Sequence, residues 1–224
     1  MTANHLRKLW KNEYVQTAAI IGLIALIVFG FWYGSQIVLN TQYPVLAVVS
    51  GSMCIPYDGQ CNGWSHPFER TLHVGDLIIV QGVNPADLNG DYPNSDIIVF
   101  HKPGDPTELI VHRIVAINED NGTLYFRTKG DGNGINKWPN TPLPSEYDPW
   151  REGNIAGVSQ DNVVGKVVMR IPLVGNIVLF MRNSTGLVVV IAIAAILILL
   201  EFVIPVLKKK TATSQTEPQK TEPA

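Results

Sequence analysis

The chain has 224 residues, of which 16% are charged and 46% hydrophobic, and its net charge is -2. That length allows one domain of moderate size with additional segments, and the balanced charge excludes the basic footprint of a nucleic-acid binder. The apolar residues concentrate towards the two ends, so the composition hides two membrane segments around a polar middle.

Residues 1–16 are a basic lead containing His5-Leu6-Arg7-Lys8-Leu9-Trp10-Lys11, expected on the cytoplasmic side. Residues 17–39 then run almost wholly apolar and without a charge. At roughly 1.5 Å per residue, such a run crosses a hydrocarbon core of about 30 Å. It exceeds the apolar region of about 7–15 residues in a cleaved signal peptide, and no clean small-x-small site follows it, so it reads as a transmembrane helix. Trp32 and Tyr33 near its far end fit an interfacial aromatic belt.

Next comes the apolar run 44–49, which ends on Ser50-Gly51-Ser52-Met53. A small hydroxyl on a glycine-loosened corner at a strand end suits a nucleophile, which needs open approach and nearby backbone N–H groups. Ser-Gly-Ser is also common turn punctuation, so the tetrapeptide alone decides nothing. Cys54 and Cys61 follow, as a local disulfide or as two free thiols. They form no CxxC pattern and have no histidine set at zinc spacing, so neither a metal site nor a cofactor is expected.

The middle of the chain reads as β-rich, with strands predicted at 72–81, 96–100, 108–117, 123–129 and 163–171. Short strands separated by Gly, Pro, Asn and Asp clusters argue for an antiparallel barrel-like domain. Residues 130–157 read as a long loop broken by Pro139, Pro142, Pro144 and Pro149. Asn121-Gly122-Thr123 and Asn183-Ser184-Thr185 match the N-glycosylation acceptor pattern, which also arises often by chance. The second apolar run, 186–207, contains Glu201 near its end and meets Lys208-Lys209-Lys210; residues 208–224 are a polar tail that cannot bury a core. Basic residues beside both crossings place both termini in the cytoplasm and residues 40–185 outside, as a multi-pass protein of the cell membrane. The expected fold is thus mostly β, an antiparallel barrel-like domain flanked by two transmembrane helices.

A serine hydroxyl is a poor nucleophile at neutral pH unless a neighbour takes its proton. Of the five histidines, His5 is on the wrong side of the membrane, His66 and His73 lie in or beside the loop after Ser52, and His101 ends a strand. His112 differs, because alternation along the 108–117 strand puts Ile110, His112 and Ile114 on one face, with Val111, Arg113 and Val115 on the other. A core histidine would look the same. No lysine occupies that strand, and Lys102 and Lys129 lie near turns, which favours histidine over lysine as the base. For the orienting acid, Asp131 opens the long loop and Asp148 lies near its end, and sequence alone positions neither.

Together, Ser50-Gly51-Ser52-Met53 with Pro56, Val74-Gly75-Asp76, Asp96-Ile97-Ile98-Val99-Phe100, Ile110-Val111-His112-Arg113-Ile114-Val115, Thr128-Lys129-Gly130-Asp131 and Gly165-Lys166-Val167-Val168 resemble, in order, the boxes of the type I signal peptidases. The likeness covers about residues 17–180 and, through His112, is to the archaeal and endoplasmic-reticulum type, which uses serine and histidine. Two residues, Cys54 and Ile55, separate Met53 from Pro56 where the family pattern has one. The resemblance implies that Ser52 attacks, that His112 is the general base, and that the Ser50 hydroxyl and the Ser52 N–H form the oxyanion hole. The family's second aspartate is missing after Gly130-Asp131-Gly132, where Asn136 and Lys137 stand. If the Pro-rich stretch is an insertion, Asp148 supplies the carboxylate, with Asp131 as the alternative. Val48, Val49, Ser50, Met53 and Ile110 are the expected substrate contacts. Partners implied are signal-peptide-bearing preproteins, the lipid bilayer and the protein-translocation channel. The rival reading is a non-catalytic membrane-tethered β-domain that binds secreted partners.

Overall fold

The computed structural model describes residues 13–55 and 71–214. The basic lead at 5–11, Pro56, Cys61, His66 and the end of the polar tail lie outside them. The chain falls into two compact units, residues 1–175 and 176–224.

The first unit opens with helix α1, Glu13–Val38, whose stretch Val15–Val38 is long and apolar enough to cross a membrane. The helix stops in a Schellman motif: Asn40 takes the left-handed conformation, φ 48°, the Thr41 N–H returns to Gln36 O and the Asn40 N–H to Ile37 O. The end of the helix is docked on the sheet that follows. Gly82 N–H donates to Leu39 O at 2.8 Å, and a Cβ on Gly82 would stand 1.9 Å from Asn40 O, so only glycine fits there.

Seven strands form one antiparallel sheet: β1 (Val45–Ala47), β2 (Leu77–Gln81), β3 (Ile97–Lys102), β4 (Asp105–Asp120), β5 (Thr123–Lys129), β8 (Val158–Ser159) and β9 (Val163–Ile171), in the order β1-β2-β9-β3-β4-β5-β8. β6 (Arg151–Glu152) and β7 (Ile155–Ala156) make a small separate hairpin. The expected antiparallel, mostly β domain is present. Barrel closure is not: among the described residues β1 and β8 are the two edges and the sheet is open. Strand periodicity fixes two cores, one on each face. Val48, Met53, Leu72, Ile78, Val80 and Val99 pack together in one; Leu88, Ile98, Phe100, Ile114, Phe126 and Val158 pack in the other.

Predicted and observed strands coincide at 123–129 and 163–171 and differ elsewhere. The strand expected from 72 starts only at Leu77, since Gly75 turns the chain at φ +90°. The 108–117 strand extends in both directions, because tight turns at Gly104 and Asn121-Gly122 join it to both neighbours as hairpins. β1 pairs on one side only among the described residues. Its register, with Val48 N–H on Asp76 O and Val80 N–H on Pro44 O, turns the even-numbered backbone groups towards β2 and those of Val45, Ala47 and Val49 outward.

The second unit holds most of α2, Gly175–Arg182, and all of α3, Ser184–Ser214, which contains the second predicted apolar run. The two helices bend by 93° at one intervening residue. Gly186 allows the bend, since a Cβ there would lie 1.7 Å from Phe180 O. A helix at 175–182 was not expected within the β-rich middle.

Candidate active site

Ser52 occupies a tight turn after β1, closed by the Cys54 N–H on Gly51 O at 3.0 Å. Met53, 1% exposed, plugs into the first core and fixes that turn to the sheet. Cys54, also buried, is disulfide-bonded. The loop after β5 lies against the turn from the other side. Gly132 N–H donates to Ser52 O at 2.9 Å, and Cβ atoms on Gly130 and Gly132 would stand 2.4 Å from Ser52 O and 1.9 Å from Cys54 O. Two glycines are therefore what lets the loop approach the serine.

His112 lies in β4 opposite Ile98 of β3, 6% exposed, on the same face as Ile110 and Ile114. Its Nε2 is 2.9 Å from Ser52 Oγ, and its Nδ1 is 2.5 Å from Asp148 Oδ2. With the ring proton on Nδ1, the imidazole donates to the carboxylate and accepts from the serine hydroxyl. Asp148 reaches this position across 36 residues because it joins the end of β5. Its N–H donates to Thr128 O at 2.8 Å, and the Thr128 hydroxyl donates to Oδ2 at 2.8 Å. The carboxylate is 9% exposed. A buried carboxylate, an imidazole and a hydroxyl in series can deprotonate the hydroxyl and stabilise the resulting imidazolium.

Asp131 has a different partner. Its carboxylate takes a two-point ion pair from Arg113, Nε to Oδ1 at 2.8 Å and Nη2 to Oδ2 at 2.9 Å, while Nη1 donates to Ser95 O at 2.7 Å. The guanidinium also lies 5.1 Å from the centre of the Trp138 ring. Burial pushes the Asp131 carboxyl up, and Arg113 pulls it back. Lys129 is buried beside it, which lowers its ammonium pKa, and its Nζ donates to Asn136 O at 2.8 Å.

Of the other histidines, His73 is buried next to Asp76, whose carboxylate accepts the His73 N–H and pairs with Arg170. His101 meets Pro106 O at 2.6 Å. Among the expected substrate contacts, Val49 and Ser50 are exposed, Ile110 is partly buried, and Val48 and Met53 belong to the first core. Thr128, Gly130, Gly132 and the pairing of Arg113 with Asp131 did not emerge from the sequence as parts of the site. The Thr128-Lys129-Gly130-Asp131 box contained Thr128, Gly130 and Asp131 without showing their contacts.

No family model matches the chain. It is similar to Signal peptidase complex catalytic subunit SEC11C of Homo sapiens, 26% identical over 179 residues, which are 80% of this chain and 78% of that protein. Signal peptidase complex catalytic subunit sec11 of Dictyostelium discoideum is 29% identical over 174 residues, 77% of this chain and 80% of that protein. The SEC11 catalytic subunit of Lachancea thermotolerans is 27% identical over 175 residues, 75% of this chain and 86% of that protein. By sequence, then, the chain is a homologue of the signal peptidase complex catalytic subunits, the type I signal peptidases of endoplasmic-reticulum and archaeal type that its ordered motifs resemble.

Proposed function

We propose that the chain is a membrane-bound serine endopeptidase that removes N-terminal signal peptides from translocated preproteins, cleaving after small residues in Ala-x-Ala-type sites. The observation that carries this reading is the series Ser52 Oγ, His112, Asp148, joined at 2.9 Å and 2.5 Å.

In the reaction, His112 Nε2 takes the proton of Ser52 Oγ as Oγ bonds to the scissile carbonyl carbon. The Ser50 hydroxyl and the Ser52 N–H receive the oxyanion. The carbon–nitrogen bond then breaks, and the imidazolium gives its proton to the departing amine. Water, deprotonated by the same imidazole, attacks the acyl-enzyme, and Ser52 recovers its proton. Asp148 stays ionised throughout and holds the ring in the tautomer with its proton on Nδ1. Asp131 assists at one remove, by anchoring the loop start on Arg113.

The substrate lies extended along the outer edge of β1, where the outward N–H and C=O groups of Val45, Ala47 and Val49 offer ladder partners. Small side chains are selected by shallow pockets near Val49, Ser50 and Ile110. α1 anchors the domain, and α3 supplies a second crossing, with both termini cytoplasmic and the site outside the cell membrane. Ser52 follows the end of α1 by about a dozen residues, a reach of at most roughly 40 Å at about 3.3 Å each, which keeps the site near the outer leaflet. That is where a translocated signal sequence ends.

The test is cleavage of a reporter preprotein with an Ala-x-Ala signal sequence by the purified full chain in lipid. Wild type is expected to cut after the small residue, with Ser52→Ala and His112→Ala inactive. Normal processing by either variant overturns the assignment, and no cleavage of any signal sequence by wild type favours the binding-domain reading.

A further inference from the structure

The segment between β5 and β6 delivers Asp148 but crosses residues 132–147 without a strand partner. Its outgoing limb is moored at several points. The Trp138 N–H donates to Asp131 O at 3.0 Å, Trp138 Nε1 to Pro93 O at 2.8 Å, and the Tyr92 hydroxyl to Asn140 O at 2.8 Å. The returning limb, which ends on Asp148, meets the outgoing one on a single carboxylate. Glu146 Oε1 accepts the N–H groups of Ile135 at 2.6 Å and Asn136 at 2.9 Å; Oε2 accepts the Asn136 side-chain amide and the Leu143 N–H, both at 2.8 Å. Gly134, at φ +69°, completes the cradle, since a Cβ there would stand 2.6 Å from Oε1. Hydrogen bonds led by those of the Asn136 and Leu143 N–H groups pull the Glu146 carboxyl down to about 2, so it is ionised wherever the enzyme works.

We propose that Glu146 is a positioning residue: by stitching the two limbs of this loop together it holds Asp148 against His112, and its effect on the reaction runs through Asp148. The inference rests on the catalytic reading above. Among the described residues, what remains on the returning limb without Glu146 is the Arg127 guanidinium over the Tyr147 ring at 5.1 Å and the bonds of Asp148 itself to Thr128 and His112, all at its far end. Asp148 then occupies its orienting position for a smaller fraction of the time, and the rate falls by that fraction.

The experiment measures kcat and KM of the full chain in lipid on the reporter preprotein, for wild type, Glu146→Ala, Glu146→Gln, Asp148→Asn and the Glu146→Ala/Asp148→Asn pair. Glu146→Ala is expected to lower kcat on the order of 10²-fold, the scale of an ångström-sized misplacement, with KM within about twofold. Glu146→Gln keeps the Oε1 acceptor and is expected to lose about tenfold. In the Asp148→Asn background, Glu146→Ala is expected to cost nothing further. Undiminished kcat in Glu146→Ala, or the same loss with and without Asp148, overturns the proposal. If Glu146→Ala does not fold by circular dichroism, Glu146→Gln and its pair with Asp148→Asn carry the same comparison. An active wild type with an equally active Glu146→Ala defeats the clamp alone, whereas cleavage that survives Ser52→Ala defeats the catalytic reading beneath it.

Discussion

Gly130 offers the sharpest probe of the site, because a Cβ there would meet both the Ser52 backbone carbonyl and the His112 ring while contributing no chemistry. Its backbone is not in the left-handed region, so alanine there introduces no φ strain and acts through contact alone. The new methyl would stand 2.4 Å from Ser52 O, 2.8 Å from Asn133 Nδ2 and 3.0 Å from His112 Nε2. The Asn133 side chain can turn away, but Ser52 O is backbone and already accepts the Gly132 N–H at 2.9 Å. Moving that oxygen from 2.4 Å to an ordinary contact of 3.4 Å displaces the serine turn by about 1 Å, which takes Ser52 Oγ beyond hydrogen-bond reach of His112. A shift of that size at reacting atoms costs about 10²-fold, or about 2.7 kcal/mol of barrier. We expect Gly130→Ala to lose that factor in kcat/KM on the reporter preprotein, with Gly22→Ala, where nothing lies within 4 Å, as the neutral control. Activity of Gly130→Ala within about threefold of wild type, with its melting temperature retained, would refute the geometry of the Ser52–His112 contact.

Asp148→Asn leaves the shape of the site and removes the charge that orients His112, so kcat should fall about 10⁴-fold, as read by a sensitive single-turnover assay; a fall of less than about tenfold would contradict the role given to Asp148. Thr128→Val removes one donor from the same carboxylate but spares the backbone pairing, so about a tenfold loss in kcat with an unchanged melting temperature is expected. Arg113→Ala strands the buried Asp131 carboxylate and should destabilise by about 3–5 kcal/mol in chemical denaturation. Burial raises the Asp131 pKa, so its contribution to stability is present below the unfolded carboxylate value and is lost as pH rises through the folded one. Arg113 counters that push in the wild type. The stability gap between wild type and Arg113→Ala should therefore be widest near neutrality and shrink on acidification; a gap that widens in acid would reverse the argument.

Local pattern offered Ser52 and His112 only as candidates, a turn after an apolar run and a ring on the alternating face of a strand; the ordered motifs singled them out together, and the fold brings them to 2.9 Å. Alternation also put Ile110 and Ile114 with His112, and both join one core. The choice between Asp131 and Asp148 was not legible, since it depends on how a Pro-rich segment folds back on Thr128, a contact no short-range pattern encodes. Gly130 and Gly132 stood inside a quoted motif, yet their purpose appears only once the Ser52 turn is packed on them. Barrel closure was over-read because alternating strands specify pairing but not which edges meet. The helix at 175–182 was missed because an eight-residue amphipathic run is too short to separate from strand periodicity.

The strand order has a consequence for biosynthesis. β9, the last strand of the sheet in sequence, is inserted between β2 and β3 and is the element that couples the β1–β2 half to the β3–β4–β5 half. A ribosome-bound chain that has not yet released residue 171 lacks the one strand that hydrogen-bonds these halves into a single sheet, and the Ser52 turn and His112 are left to side-chain and loop contacts alone. The Ser52–His112 contact is therefore held rigidly only once β9 is in place, near the end of the β-rich unit's synthesis.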